Sequence, residues 1–301
     1  MRLDKKNDVM TQDEIFDCYR KAGEIHRKLI EESREKVKKG VGVYEFADYI
    51  DKRTIELGGL SAFPVNISLN EEAAHSTASF EDERKFEKDV IKIDIGVHVK
   101  GYIADGAITI DLSGKYSDLV KASEEALNAA IDVVKAGVST TKIGETIEDT
   151  IQGLGFEPVR NLMGHGVDKY IAHAEPSIPN CRMKYDATLV ENQVIAIEPF
   201  ATDGEGFVVD GKFCEIYSQV KNKPTRIKFI REILEHIKTY NGLPFAARWL
   251  PQNKTDMALN QLLKEGTITA YPVLIEASGG IVSQAEHTLI VTEDGCEVTT
   301  R

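Results

Sequence analysis

The segment VIKIDIGVHV, residues 90–99, restricts this chain more than any other. It alternates strictly, and successive side chains of a strand point to opposite faces. Isoleucines and valines therefore take one face, while Lys92, Asp94, Gly96 and His98 take the other. Lys100-Gly101 follows as a hairpin turn, and YIADGAITIDL, residues 102–112, alternates more weakly behind it. In a hairpin closed by an even-numbered turn, opposed residue numbers sum to an odd total. Asp94 and Asp105 meet that condition, so they share a face, directly opposite or diagonal according to register. Two carboxylates this close repel unless a cation or a proton lies between them. A solvated polar face would also tolerate the pair, and Lys92 and His98 suit a wet face.

Around the hairpin the pattern is mixed. Thr11-Gln12-Asp13-Glu14 fits a capping box, and Ile15, Tyr19, Ala22, Ile25 and Leu29 follow at helical spacing, so a long helix is predicted to run on to Gly40. A second helix is predicted over 43–57, stopping at Gly58-Gly59, and residues 62–69 read as extended. Further helices are predicted over 117–136 and 142–154, with a short buried strand at Val194-Ile195-Ala196-Ile197. Between 221 and 266 the character turns helical: Ile227, Ile230, Ile233, Leu234 and Ile237 mark one helix and MALNQLLKEG another. Strands resume at 270–276 and 281–292. The chain thus reads as an α+β body, one domain over 1–301, with a helical block at 221–266 inserted into it.

Composition excludes several classes. Of 301 residues, 42% are hydrophobic and 29% charged, which is too much apolar material for a disordered chain and enough for a full core. The net charge of -12 argues against a broad grip on nucleic acid or on an anionic membrane. Cys18, Cys181, Cys214 and Cys296 are scattered, without a CxxC pair, as expected of reduced thiols. No run approaches the roughly 18 apolar residues of a membrane helix, and the charged N-terminus shows no apolar leader. A cytoplasmic protein is expected.

Five further residues draw notice. Glu198 ends the apolar run VIAI and precedes Pro199, which stops a strand and keeps Glu198 extended. Glu286 lies in IVSQAEHTLIVT, where alternation sets Gln284, Glu286 and Thr288 on one face; Glu is depleted inside strands. His165 stands between Gly164 and Gly166, which let the backbone approach closely. His75 and His173 each follow short alanine-containing segments. Any of these alone suits a strand end, an exposed face or a structural histidine. Together, Asp94, Asp105, His165, Glu198 and Glu286 form a ligand set for two divalent ions, because four negative charges balance four positive ones. Oxygen-rich ligation with one imidazole suits Mn, Fe or Co, or a hydrolytic Zn pair.

The segments DIGVHVKGYIAD, NLMGHG, AIEPF and SQAEHTLIV resemble, in order and spacing, the metal-binding segments of the methionine aminopeptidases. The block containing LPFAARWL is similar to the insert of the type II branch, and the likeness runs from about residue 10 to the C-terminus. The resemblance implies the pita-bread α+β fold, two pseudo-symmetric halves around one metal site. It implies Asp94 as a terminal ligand of one ion, Asp105 and Glu286 as bridging ligands, and His165 and Glu198 as ligands of the other. It implies a bridging water that attacks the first peptide carbonyl, with Glu198 as proton shuttle and His75 and His173 beside the substrate. Phe63, Phe200 and Tyr271, with Ile216, are the matched positions for an apolar methionine pocket that also includes His75 and His173. The implied activity removes the initiator methionine from nascent chains when the next residue is small, in a monomer; any ribosome contact would rest on the catalytic domain itself. An Xaa-Pro peptidase of the same fold, or a non-catalytic ribosome-associated relative, is the alternative. Departures from the family pattern are Lys100, Gly106, Ala78 and Glu175; an extra carboxylate at Glu175 is expected to raise the pKa of His173 or to bind the substrate amine.

Overall fold

The computed structural model describes residues 10–184 and 186–301. The charged start read above as lacking an apolar leader, residues 1–9, lies outside them. Helix α1 (Gln12–Lys36) begins at the predicted capping box: the Thr11 hydroxyl accepts from the Glu14 N–H, and the Glu14 carboxylate accepts from the Thr11 N–H at 2.7 Å. It ends earlier than Gly40, where Val37 turns to extended backbone. Helix α2 (Val43–Glu56) follows. Both helices pack on a sheet of Leu60–Ser61, Val90–Val99, Asn66–Leu69 and Tyr102–Asp111. Ala22, Leu29, Phe46 and Ile50 meet Ile91, Ile93, Ile95 and Val97 in one buried cluster. That is the isoleucine and valine face of the predicted strand. Phe46 is fully enclosed, and truncating such a side chain to alanine costs about 3–5 kcal/mol.

The hairpin closes at Lys100-Gly101 with unbroken register. Asp94 pairs with Ala107 and Gly96 with Asp105, so the two aspartates are diagonal neighbours on one face. That face is not wet. Lys92 and His98 are both buried, because chain from the second half packs over the strand. The Lys92 ammonium donates to the Asn70 carbonyl at 2.7 Å, and burial pulls its pKa down to about 7.

The second half repeats the scheme. Helices α3 (Ser117–Val133) and α4 (Thr140–Gly153) pack on a five-stranded sheet. Its order is Cys296–Val298, His287–Val291, Val194–Ile197, Met163–Asp168 and Ile171–Pro179. Leu127, Ile143, Ile147 and Ile151 meet Ile195, Ile197 and Leu289 there. Two helices on an antiparallel sheet, built twice, is a doubling that hydropathy does not reveal. Helix α3 stops short of the predicted 136, since Val134 is already extended.

The strand expected over 281–292 is broken. Val282–Gln284 pairs with Phe200–Thr202, whereas His287–Val291 pairs with Val194–Ile197. The interruption at Ala285-Glu286 thus lies beside the one at Glu198-Pro199. Pro199 has no N–H, so the ladder cannot run through it.

The halves meet along one antiparallel seam. Ala107 and Glu286 exchange backbone hydrogen bonds of 3.0 and 3.3 Å. On either side a threonine hydroxyl replaces a backbone group. Thr288 Oγ1 accepts from the Asp105 N–H and donates to the Asp105 carbonyl, both at 2.8 Å. Thr109 Oγ1 donates to the Gln284 carbonyl at 2.7 Å and accepts from the Gln284 N–H at 2.8 Å.

The helical block enters after Ile216–Gln219 and returns through Ile268–Tyr271, and these two strands pair with each other. Between them lie α5 (Lys228–Lys238) and α6 (Thr255–Lys264). Ile230, Ile233, Leu234, Leu259 and Leu262 bury with Phe245 in a cluster of their own. Among the described residues no helix is long and apolar enough to cross a membrane.

Candidate metal centre

Asp94, Asp105, His165, Glu198 and Glu286 line one cavity of about 150 Å³ together with His75 and His173. Phe63, Phe200, Ile216 and Tyr271 line the same cavity, so every sequence-predicted site residue reaches it. Asn66, Ala74, Leu162, Met163 and Pro244 complete the lining and were not anticipated.

His165 sits on an inner strand flanked by two neighbours. A Cβ at Gly164 would lie 2.3 Å from the Ala196 carbonyl oxygen, and one at Gly166 would lie 2.2 Å from that of Glu175. Only glycine lets the strands close on either side of the imidazole. His165 Nδ1 lies 3.1 Å from the Gly166 carbonyl. A carbonyl only accepts, so Nδ1 carries the hydrogen and Nε2 keeps its lone pair. That Nε2 lies 3.8 Å from Asp105 Oδ2 and 3.9 Å from Glu198 Oε1. Asp105, His165 and Glu286 each offer a donor atom within 4.8 Å of the others. Glu198 and Glu286 enter from the adjacent strand breaks, and the Gln284 amide donates to one oxygen of each at 3.4 Å. Alternation had set Gln284 on the face of Glu286, but a glutamine on a strand reads as ordinary polarity, so its role in holding both carboxylates went unseen.

The electrostatics call for a cation. Burial pushes Asp94 up to about 7, against the pull of hydrogen bonds from Gln284 and Asp105. Burial, then the charges of Asp94 and Glu198, raises Asp105 well above the usual carboxyl range. Glu198 is raised by burial and by Asp94, and Glu286 by burial and by Asp105, Glu198 and Asp94. One oxygen each of Asp94 and Asp105 is buried without a partner. Four converging carboxylates, two of them with an orphaned oxygen, and one free imidazole nitrogen are the donor set of a hard or borderline divalent ion, and such an ion removes their repulsion.

The other imidazoles face this cluster. The His173 ring meets that of His165 edge-on at 4.5 Å, on the exposed side of the cavity. Although one edge of His173 is exposed, loss of water around the ring where it meets the cluster lowers its pKa. The expected upward pull of Glu175 is not found, because that residue lines a separate cavity with Phe16, Tyr19 and Asp168. His75 adopts a left-handed backbone, φ 62, rare for a residue with a side chain, and its ring stands edge-on to Tyr271 at 5.6 Å. Burial, helped by the nearby His173, brings its pKa to about 4. Phe63 lies against the strand because Gly96 leaves room: a Cβ there would come within 2.2 Å of the ring.

Comparison with known proteins places this architecture. The chain is 50% identical over 291 residues to the methionine aminopeptidase of Archaeoglobus fulgidus, covering 96% of this chain and 99% of that protein. Identity to the methionine aminopeptidase of Methanocaldococcus jannaschii is 44%, over 93% of this chain and 96% of that one. The solved methionine aminopeptidase of Thermotoga maritima superposes with a TM-score of 0.72 at 22% identity, covering 97% and 98% of the two chains. A thermophilic Arx1 gives 0.83 at 16% identity over 97% and 91%. The prolidase of Pyrococcus furiosus gives 0.65 at 18% identity over 97% of this chain and 65% of its own. The shared architecture is the pita-bread fold expected from the sequence. The description of metallopeptidase family M24 matches residues 17–293, and the chain belongs to that family.

Proposed function

We propose that this protein is a methionyl aminopeptidase that hydrolyses the initiator methionine from the N-terminus of nascent proteins, favouring a small second residue. One observation carries the reading: four carboxylates and an imidazole line the same cavity as the apolar side chains of Phe63, Phe200, Ile216 and Tyr271. A methionine side chain suits the apolar residues and its peptide carbonyl suits the charged ones. The Xaa-Pro and non-catalytic alternatives are not favoured, because the donor set is whole and the relatives of high identity are methionine aminopeptidases.

Asp94, Asp105, His165, Glu198 and Glu286 would hold two divalent ions, drawn from Co, Mn, Fe or Zn. Asp105 and Glu286 would serve both ions, Asp94 would complete one, and His165 with Glu198 the other. When bound, such ions supply Lewis-acid polarisation of the peptide carbonyl and lower the pKa of water. His75 and His173 stay neutral at working pH, because their pKa values are lowered, and each can donate a hydrogen bond to a carbonyl oxygen that gains charge. Glu198, at the edge of the cluster, would take on its carboxylate the proton lost by the attacking water and pass it to the departing amine. Phe63, Phe200, Ile216 and Tyr271 exclude water from the side-chain pocket. Residues 1–301 act as one catalytic domain with 221–266 as an inserted subdomain, in a cytoplasmic monomer; any ribosome contact would rest on that domain.

The test is release of free methionine from Met-Ala-Ser by metal-stripped protein titrated with Mn²⁺, Fe²⁺ or Co²⁺. Metal-dependent release is expected, and the titration counts the ions needed. A folded protein that releases nothing with any of these ions would overturn the assignment.

A further inference from the structure

Arg248, within the LPFAARWL segment, has a side chain only 3% exposed, far from solvent for a guanidinium. Its fork serves acceptors on two separate elements. Nη1 donates to Thr77 Oγ1 at 2.8 Å and to the Ala78 carbonyl at 3.2 Å. Nη2 donates to Asp51 Oδ2, on α2, at 2.9 Å. Trp249 Nε1 donates to the same carboxylate oxygen at 2.6 Å. Arg248 therefore joins the helical block to α2 and to the segment just beyond His75.

Arg248 is connected on each hand to residues that line the cavity, which form two walls. The first wall holds Ile216, Tyr271 and Pro244. Ile216 pairs with both Ala246 and Tyr271, and the Ala247 N–H donates to the Glu215 carbonyl at 2.9 Å, so Arg248 leaves this wall directly. The second wall holds His75. Its neighbours are tied down in turn: the Ser76 carbonyl accepts from the Ile67 N–H at 2.6 Å, and Thr77 Oγ1 donates to the Val65 carbonyl at 2.7 Å. A non-glycine residue in left-handed backbone persists only where its surroundings impose it, and Arg248 fastens the two residues that follow Ser76.

We infer that Arg248 is a positioning residue that ties the pocket wall carried by the helical block to the wall carried by His75, fixing the pocket's width and the placement of the His75 ring. The planar fork sends its donors from two separate nitrogens in fixed directions, to Thr77 and Ala78 on one side and to Asp51 on the other, whereas an ammonium offers its three donors from a single point. Without it, the chain at 77–78 loses its tie to the helical block, the bonds of Ser76 and Thr77 to 65–67 alone hold His75 in the left-handed region, and the strand pair that carries Tyr271 is no longer fastened to that segment. The kinetic consequence rests on the aminopeptidase reading; the structural one does not.

The experiment uses the full chain loaded with Mn²⁺ and three substitutions, Arg248→Met, Thr77→Val and His75→Ala. Arg248→Met should lower kcat/KM for Met-Ala-Ser about 10- to 100-fold, as misplacement of a substrate-positioning group does, with bound metal per chain unchanged. In the His75→Ala background the same change should cost clearly less than in the wild type, because the part that acts through His75 is already spent and only the part that acts through the pocket width remains. Backbone hydrogen exchange over residues 74–80 should quicken in Arg248→Met while that over 90–111 holds. Removing one partner of a buried ion pair can unfold a chain, so Thr77→Val, which keeps the Asp51 pair, provides the second route and should show a smaller loss with the same non-additivity. Losses that multiply independently of His75, or unchanged exchange at 74–80, would overturn the inference. If wild-type protein releases no methionine at all, the aminopeptidase reading fails while the exchange measurement still decides the clamp.

Discussion

The two halves deliver donors to one cavity by opposite means. The first half supplies Asp94 and Asp105 from the interior of an unbroken hairpin, ten pairs long. The second supplies His165, Glu198 and Glu286 from irregularities. His165 lies in a ladder whose register shifts on both sides of Gly166, and the two glutamates stand where paired strands change sheets. Regular pleating spaces side chains along one face, and so it can set two carboxylates side by side. It cannot bring other donors back over that face. Bulges and breaks do this, because they re-aim a side chain without moving the strand that carries it.

The sharpest way to break this comparison is Asp94→Ala in the first half. It should bring methionine release to background and strip bound metal together, as read by metal analysis after dialysis; keeping both would remove Asp94 from the donor set. His173→Ala, in the second half, should lower kcat about 100-fold, the scale for losing one donor to a developing oxyanion, with metal content nearly intact. Parallel loss of metal would make His173 a ligand instead. Gly164→Ala drives a Cβ into the Ala196 backbone and should destabilise the fold by about 1–3 kcal/mol in urea. Gly96→Ala in the first half meets the Phe63 ring, a side chain that can swing, so it should raise KM with a smaller stability change. Equal stability losses would erase the distinction between the two hairpins.

The smallest effect concerns the helices. Glu148 on α4 is buried, which by itself raises a carboxyl pKa, but the Arg182 N–H and the Arg160 and Arg182 guanidinium groups outweigh this and hold it below its ordinary range. On α1, Glu32 is held low chiefly by Arg53, and its side chain is more open to water than that of Glu148. A carboxyl with a depressed folded pKa contributes fully above its unfolded value. That contribution fades as the pH falls, because the unfolded chain takes up its proton first. Glu148→Gln should therefore cost about 1–2 kcal/mol at pH 7 and flatten the acid limb of stability, while Glu32→Gln should cost less than about 1 kcal/mol. Thermal unfolding across pH 3–7 reads both, and a larger loss from Glu32 would reverse the ranking.

The same contrast explains what was legible in the sequence. Alternation located the hairpin, its turn and the shared face of Asp94 and Asp105, because those follow from local geometry. It misjudged the polar face as wet, since burial of Lys92 and His98 depends on chain contributed from far away. It drew one strand through Ala285 and Glu286, because nothing local marks a break imposed by the neighbouring Pro199. The ligand set was read as a joint pattern and gained its order from family likeness. Pro244 and Asn66 carried no chemical signal, and Arg248 in LPFAARWL marked a branch of the family without disclosing what the arginine holds.

The threonine-flanked seam has a consequence for the order of assembly. Its rungs join residues separated by as many as 183 positions. Contacts between such distant residues form late, after the entropy of closing a long loop has been met. Each half can gather its own helices and sheet first, and the donors converge only when Ala107 and Glu286 pair. The donors are together only in the closed chain, so an ion they held would favour closure by mass action. Metal supply would then favour the closed arrangement of the two halves, the one in which the donors converge.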